Sequence, residues 1–579
     1  MRWHSIGISL LALAVSASLQ AALITTEGTG TGKHGDITVA VTFDQGKIQN
    51  IQVLKSHENK ILASKVFTEL KDNIVKHNTV ALDSITGATV SSDGLKEAVA
   101  DAVKKAKVAL ATGVVLKQNA PTIPENTTYD VIVIGSGGAG FSAAITAKDA
   151  GANVVVLEKM PTVGGNSLIS GAEMAAANNW VQQKLGITGD SVELHYQDTM
   201  KGGDNKGDPA VVRTMVENAL DAALWCRDTI GVEFQEDNLF FFGGHSKKRS
   251  LIPKGATGTE FIEKFVKASK KRQIPILTNV KAESLIQDAS GRVVGVKATL
   301  NDKTYTFQAK KGVILATGGF SANVAMRTAA NPFYGEKFKT TNMPGAMGEG
   351  ITMASKIGAQ VVNMDQIQTY PMCDPVSGAI ELIDDARFEG AILVNQEGKR
   401  FVEELGRRDV LSKAILDQTG SYCYALFNDA IEKKSHAISH HQDEVAVFTK
   451  SGILHKGETL EDVANFFKVP VDSLKATVAR VNEFAKTGKD TDFNYRALFT
   501  DLSTGPYWMY RGVPSVHHTM GGLKINPKAQ VLDANDRPIP GLWAAGEVTG
   551  STHGSNRLGS NAYADIIVFG RIAGREASR

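Results

Sequence analysis

Cysteine is almost missing from this chain: Cys226, Cys373 and Cys423 are the only three in 579 residues. Three widely spaced thiols make no disulfide framework. No Cys-x-x-Cys-His segment is present, so c-type haem attachment is excluded and any electrons must travel through another centre. Charge of one sign is also lacking. A net charge of +2 gives no strong pull toward nucleic acid or anionic membrane. The apolar run at residues 6–15 is too short for a bilayer span, which needs about 20 residues. No low-complexity tract, internal repeat or metal-ligand cluster is read.

What is present is ordinary for a soluble globular protein, 42% hydrophobic and 21% charged, long enough for roughly three or four domains. Arg2 and His4 precede the short apolar run, and Ser16, Ala17, Ser18, Ala21 and Ala22 follow it. That order is a secretory signal, residues 1–22, with cleavage between Ser18 and Ala22 and a periplasmic destination. A first small domain spans residues 25–112. Ile37, Val39, Val41 and Phe43 alternate, Asp44-Gln45-Gly46 turns, and Ile51 and Val53 resume the pattern of a hairpin. The segment Asp83-Ser84-Ile85-Thr86-Gly87-Ala88-Thr89 follows. Ser91 or Ser92 then caps a helix with Leu95, Val99 and Val103 at helical spacing. Thr89 thus stands just ahead of a helix N-terminus, a setting that favours phosphate. Residues 113–128, with Pro121 and Pro124, read as a linker.

From Tyr129 the pattern changes. A buried strand at residues 131–134 runs into Gly135-Ser136-Gly137-Gly138-Ala139-Gly140, a helix follows, and a second strand at 154–157 ends in Glu158. Strand, glycines, helix, strand and acid in one frame form a dinucleotide-binding unit, with pyrophosphate at the helix N-terminus and a ribose on the acid. Three further segments decide which dinucleotide is bound. They are Gly164-Gly165-Asn166-Ser167, the strand at 313–316 leading into Thr317-Gly318-Gly319, and Gly546-Glu547 with the later segment 554–561.

Residues 384–409 read as two apolar strand-like runs around a Glu397-Gly398 turn, with charges at both ends. Residues 391–394 belong to a core, so Asp384, Asp385, Arg387 and Arg408 are held on a rigid frame and are candidates for chemistry. The competing reading is a solvated hairpin rim.

The segment ending in Thr89 resembles the flavinylation motif of FMN-binding domains in exported redox proteins, which implies FMN held by a phosphoester bond to Thr89. From about residue 126 onward, the nucleotide-site segments resemble the flavoprotein family of fumarate reductase, succinate dehydrogenase and aspartate oxidase. The resemblance implies an α/β chain. It would comprise a Rossmann-type FAD-binding domain at 129–365 and 511–579, an inserted mobile α+β capping domain at 366–510, and the small α+β FMN-binding domain in place of the haem domain of flavocytochrome-type fumarate reductases. It implies FAD contacts from Gly135, Gly137, Ala139, Gly140, Glu158, Lys159, Gly165, Asn166, Ser167, Gly171, Ala316, Thr317, Gly318, Glu547, Ser560 and Asn561. No histidine follows Gly164-Gly165, so FAD is expected to be non-covalent.

By the same resemblance, His517 and Arg557 hold a substrate carboxylate, Arg408 donates the proton, and Asp384 with Arg387 relays it. Three positions depart from the fumarate pattern: Tyr370 stands in place of a histidine, and Asp385 and Glu173 add acids. A dianion would be repelled by them. An enoate with one carboxylate and a hydrogen-bond-donating or cationic far end fits, and urocanate, giving imidazole propionate, is the expected substrate. The electron donor expected from the family is an exported or membrane-anchored c-type cytochrome fed by quinol. The alternatives are reduction of fumarate, acrylate, methacrylate or cinnamate, and a non-catalytic exported flavin carrier. If Thr89 carries FMN, the intact mass of the exported protein is expected to include one FMN adduct that is absent from Thr89→Ala.

Overall fold

The alternating residues of the first domain become the middle strand of a small antiparallel sheet. The computed structural model describes residues 23–85, 88–110 and 122–579. The signal segment, Thr86, Gly87 and residues 111–121 of the linker region lie outside the described residues. Strands β1 (Ile24–Gly32), β2 (Gly35–Asp44) and β3 (Lys47–Lys55) pair in that order. Ile37, Val39, Val41 and Phe43 are buried, and helix α1 (Thr89–Ala106) covers them with Leu95, Val99 and Val103.

β1 has no apolar alternation, for a packing reason. A Cβ on Gly28 would stand 2.0 Å from the carbonyl oxygen of Ala98, and one on Gly30 2.1 Å from that of Gly94. Helix backbone rests directly on strand backbone, which only glycine allows. α1 begins at Thr89 itself, two residues before the expected cap at Ser91. Ser92 instead lies inside the helix, where its hydroxyl donates to the Ala88 carbonyl at 2.8 Å and accepts from the Ile85 amide at 3.0 Å. The exposed Thr89 therefore sits on the first turn of an 18-residue helix.

These strands and α1 form one compact unit; residues 57–64 and 122–579 belong to a second. There, β4 (Thr128–Ile134) leads into α2 (Gly138–Asp149) and β5 (Val154–Glu158). β6 (Ile276–Thr278) and β7 (Lys303–Leu315) follow in the same sheet. The chain then builds a second sheet from β8 (Ile367–Cys373), β9 (Ile392–Val394), β10 (Cys423–Asn428) and β11 (Tyr507–Thr519). It returns to the first sheet with β12 (Pro538–Ala544) and closes on α3 (Asn561–Ala577).

The first sheet runs β12-β7-β4-β5-β6 with parallel pairing throughout that path. Residues 131–133, 154–157 and 313–315 are buried without alternation, as strands covered on both faces must be. The second sheet is antiparallel, in the order β8-β11-β10-β9. It carries its own core of Ile383, residues 391–394, Leu426, Phe427, Met509 and Tyr510. β11 is one unbroken 13-residue strand across position 510/511. Its first half pairs with β10 and its second half with β8.

Residues 384–409 fold differently from the two strand-like runs read in the sequence. Leu382–Glu389 is a 3-10 helix, β9 is the only strand there, and an α-helix starts at Arg408. Phe401 and Val402 join no ladder. The reason lies in Glu404. Its carboxylate accepts from the Leu393 amide at 3.3 Å and forms a two-pronged pair with Arg400 at 2.7 Å on each arm. A side chain thereby occupies the ladder position of a second strand's carbonyl. Gly30→Val is expected to destabilise the first unit by about 1–3 kcal/mol through overpacking. Hydrogen exchange of the β1 and α1 amides should accelerate while the second unit stays unchanged.

Candidate active site

The carboxyl ends of β4, β5, β7 and β12 meet one cleft of about 960 Å³, lined by Ile134, Glu158, Ala316 and Ala545, where an α/β sheet binds its ligand. Gly137 caps α2, so free amides of that helix edge the cleft. Gly140 is below the turn: a Cβ there would be 2.0 Å from the Gly135 carbonyl oxygen. Glu158 accepts from the Ser136 amide at 3.0 Å and the Met160 amide at 2.8 Å, which fixes it on the cleft wall. Thr317 carries a buried hydroxyl with no partner in the same wall. Amides for a pyrophosphate, an acid for a ribose and an unmatched hydroxyl fit FAD.

Twelve of the expected cofactor residues border this cleft: Gly135, Gly137, Ala139, Glu158, Lys159, Gly165, Asn166, Ser167, Ala316, Thr317, Gly318 and Glu547. Lys159 pairs with Glu349 at 2.5 Å. Asn166 donates to Asn342 at 2.6 Å and accepts from the Met343 amide at 2.8 Å, and Ser167 accepts from the Gly138 amide at 3.0 Å. Gly171 and Ser560 border a second cavity instead. Asn561 borders neither: its amide group is taken up by His195 at 2.8 Å and Thr199 at 2.9 Å. Thr89 belongs to the other unit.

The second cavity shares Asn166, Ser167, Glu547 and Ile566 with the first, so the two are continuous. It is lined by Glu173, Tyr370, Asp385, Arg408, His517 and Arg557. Its cations are poorly matched. Arg557 is 5% exposed; its Nε meets no partner, and Nη1 reaches only the Leu558 carbonyl at 3.4 Å. Arg408 reaches Gln368 at 3.4 Å and lies 4.7 Å over the Tyr370 ring. It is also the first residue of its helix, where the dipole opposes a cation. Burial lowers the pKa of both; the charge of Arg387 lowers Arg408 further, and that of Arg408 lowers Arg557 further. An anion between them would relieve all of this.

His517 adds a neutral imidazole. Burial and the two arginines push its pKa well down. Its Nδ1 is 2.7 Å from the Thr341 hydroxyl, which itself accepts from Asn342 at 3.2 Å. With Nδ1 engaged by Thr341, Nε2 is the ring nitrogen left for another partner.

The same cavity also carries acids. Glu173 folds back over Gly171, where a Cβ would be 2.4 Å from its Oε1. Burial, then the charge of Asp385, raises its pKa to about 7. Burial likewise raises Glu547 to about 7. Asp385 is 3.1 Å from His441. Burial pushes the Asp385 carboxyl up, and the carboxylate raises the imidazole.

Asp384 and Arg387 do not line the cavity; they form a buried pair behind Tyr370. Asp384 accepts from Arg387 Nη2 at 2.6 Å, Tyr370 at 2.8 Å and Tyr510 at 2.9 Å. Sequence reasoning missed Phe242, Phe388, Thr341, Asn342 and His518 on the wall, as well as His441 behind it. His518 is the variable position of the His517-His518-Thr519-Met520-Gly521-Gly522 segment, and the others sit in no motif with its own spacing signal. Affinity of the FAD-loaded oxidised protein for acrylate is expected to fall by up to about tenfold as pH rises from about 6 to about 8. Across that window Glu173 and Glu547 gain charge that opposes the anion. Titration by absorbance checks this, and Glu173→Gln should flatten part of the slope.

The chain matches the family described as FAD binding domain over residues 130–562 and the FMN-binding domain over residues 32–104. It is 45% identical over 558 residues to urocanate reductase of Eggerthella lenta, covering 95% of this chain and 91% of that one. It is 39% identical over 466 residues to fumarate reductase (cytochrome) of Shewanella frigidimarina, covering 80% and 79%. The open conformation of a flavocytochrome c3 fumarate reductase superposes with a TM-score of 0.64 at 37% identity, over 78% of each chain. The chain belongs to this flavoprotein family: it is an FAD-dependent oxidoreductase of the enoate-reducing group that includes fumarate and urocanate reductases, with an FMN-binding domain ahead of the FAD-binding domain.

Proposed function

We propose that this protein is an exported respiratory reductase that converts urocanate to imidazole propionate. What favours urocanate over fumarate is that one cavity presents both donors for a carboxylate and acceptors for an N–H. Arg408, Arg557 and the His517 imidazole supply partners for a single carboxylate. Tyr370, packed against Arg408 and His517, has its hydroxyl proton committed to Asp384, so its oxygen offers only lone pairs. Asp385 and Glu173 add acceptors to the same cavity. An imidazole N–H satisfies these acceptors, whereas a second carboxylate would bring them no donor.

Held non-covalently by the residues of the first cleft, FAD would, once reduced, supply hydride chemistry to the double bond. The protein's own part begins with the carboxylate. Two guanidinium groups and a neutral imidazole stabilise the charge that develops on it when the double bond is polarised. Phe242 and Phe388 line the same cavity and limit water. Arg408 gives a proton to one carbon of that double bond, and burial lowers its pKa in the direction that makes this easier. Asp384 and Arg387, buried beneath the Tyr370 ring over which Arg408 lies, are the pair assigned to returning that proton.

Supply of electrons through FMN on Thr89, a periplasmic location after removal of residues 1–22, and a c-type cytochrome donor linked to quinol complete the reading. Among the described residues no helix is long and apolar enough to cross a membrane. The test is a reduced-viologen assay of the purified protein with urocanate, fumarate, acrylate, methacrylate and cinnamate. Urocanate should be turned over fastest; equal rates on fumarate would sink the assignment. Asp385→Ala is expected to lower urocanate turnover by about a hundredfold or more with FAD retained. Arg408→Lys should cripple the rate, also with FAD retained.

A further inference from the structure

Asp385 approaches the cavity from the 3-10 helix Leu382–Glu389. Its neighbour Asp384 cannot steady it, because Arg387, Tyr370 and Tyr510 occupy that carboxylate. His441 reaches Asp385 from a different part of the chain. It is the residue just before helix Gln442–Ser451, and its Nε2 lies 3.1 Å from Asp385 Oδ2. The two side chains are 2% and 7% exposed. His441 does not border the cavity, whereas Asp385 does. The other carboxylate oxygen, Oδ1, has no protein partner among the described residues.

Helix Gln442–Ser451 and the 3-10 helix are tied a second time, where Glu444 accepts from the Ile383 amide at 3.1 Å. The His441 amide carbonyl is engaged at 3.0 Å by Val445. The imidazole is therefore carried on a docked helix start, with its own backbone fixed. We propose that His441 is a specificity-positioning residue: it binds Oδ2 of Asp385 and thereby aims Oδ1 into the cavity as the acceptor for the substrate's distal N–H.

The physical need is clear from the surroundings. Asp385 stands beside Asp384 and across from Glu173, and both oppose a further negative charge. Without a donor behind it, the carboxyl would turn away or hold a proton, and a protonated acid presents a donor to the imidazole N–H instead of an acceptor. A donor fixed at Oδ2 removes both options.

This inference rests on urocanate as substrate, and the experiment separates the two ideas. Dissociation constants of urocanate and of trans-cinnamate, which has a ring without an N–H, are measured on the FAD-loaded oxidised protein without turnover. The wild type should favour urocanate; equal affinities would overturn the urocanate reading and this inference with it. Given that preference, His441→Leu should weaken urocanate about tenfold or more and leave cinnamate within about twofold. His441→Gln, whose amide can donate to Oδ2, should stay near wild type. Should the leucine variant fail to fold, His441→Asn serves in its place, since its shorter amide falls short of Asp385. Adding His441→Leu or His441→Asn to Asp385→Asn should cost urocanate nothing more. Equal weakening of both ligands, no weakening, a glutamine variant as weak as leucine, or an additive loss in the Asp385→Asn background would each overturn the role.

Discussion

The carboxylate of Asp384 is the contact on which the rest of the site depends. It is fully buried and receives hydrogen bonds from Tyr370 on β8, Tyr510 on β11 and Arg387 on its own 3-10 helix. Three elements of the second sheet region are thereby fixed to one atom pair. Arg387 also donates to the Glu404 carbonyl at 2.8 Å, which extends the network to the turn before Arg408. A buried ion pair of this kind contributes little net stability, yet losing one partner strands the other charge at a cost of about 3–5 kcal/mol. Its value lies in geometry: it decides where the phenol proton of Tyr370 points and what lies beneath Arg408.

The substrate end of the cavity shows the opposite electrostatic state. Arg557 is buried and Arg408 half-buried, each with few hydrogen bonds, whereas Asp384 is saturated with them. His517, His518 and His553, packed around Arg557, all have depressed pKa values from burial and from that guanidinium. They can stay neutral and add no further positive charge. The protein thus tolerates unmatched cations at the place where an anion will arrive and keeps the surrounding imidazoles uncharged. Such a site is poised for binding at the expense of its own folded state.

Much of this was legible in the sequence because particular residues carry local rules. The buried run at 131–134, the glycines after it and Glu158 specify a strand, a turn and an acid whose spacing admits one unit, and β4, α2 and β5 follow it. Ile37, Val39, Val41 and Phe43 announce β2 by alternation. β1 was illegible because its inward residues are glycines chosen for helix contact, so the alternating signal is erased. Residues 401–402 looked like strand because propensity cannot foresee that Glu404 would occupy the ladder. In the site, residues in motif contexts such as His517, Arg557 and Arg408 could be named. His441 could not: its meaning comes from a contact with Asp385, 56 residues away in sequence. Asn561 misled for the converse reason, since its neighbours fit the nucleotide pattern while its side chain serves His195 and Thr199.

β11 constrains how the second sheet can be divided. One continuous strand lends its first half to β10 and its second half, ending near His517, to β8. Both partner strands lie in the segment between the two halves of the nucleotide-binding fold, so all of residues 507–519 belong to that segment's sheet and a cut at 510/511 would split a strand. Residue replacement on the short helix that faces the cavity, Leu382–Glu389, changes what the cavity presents while leaving that continuous strand intact.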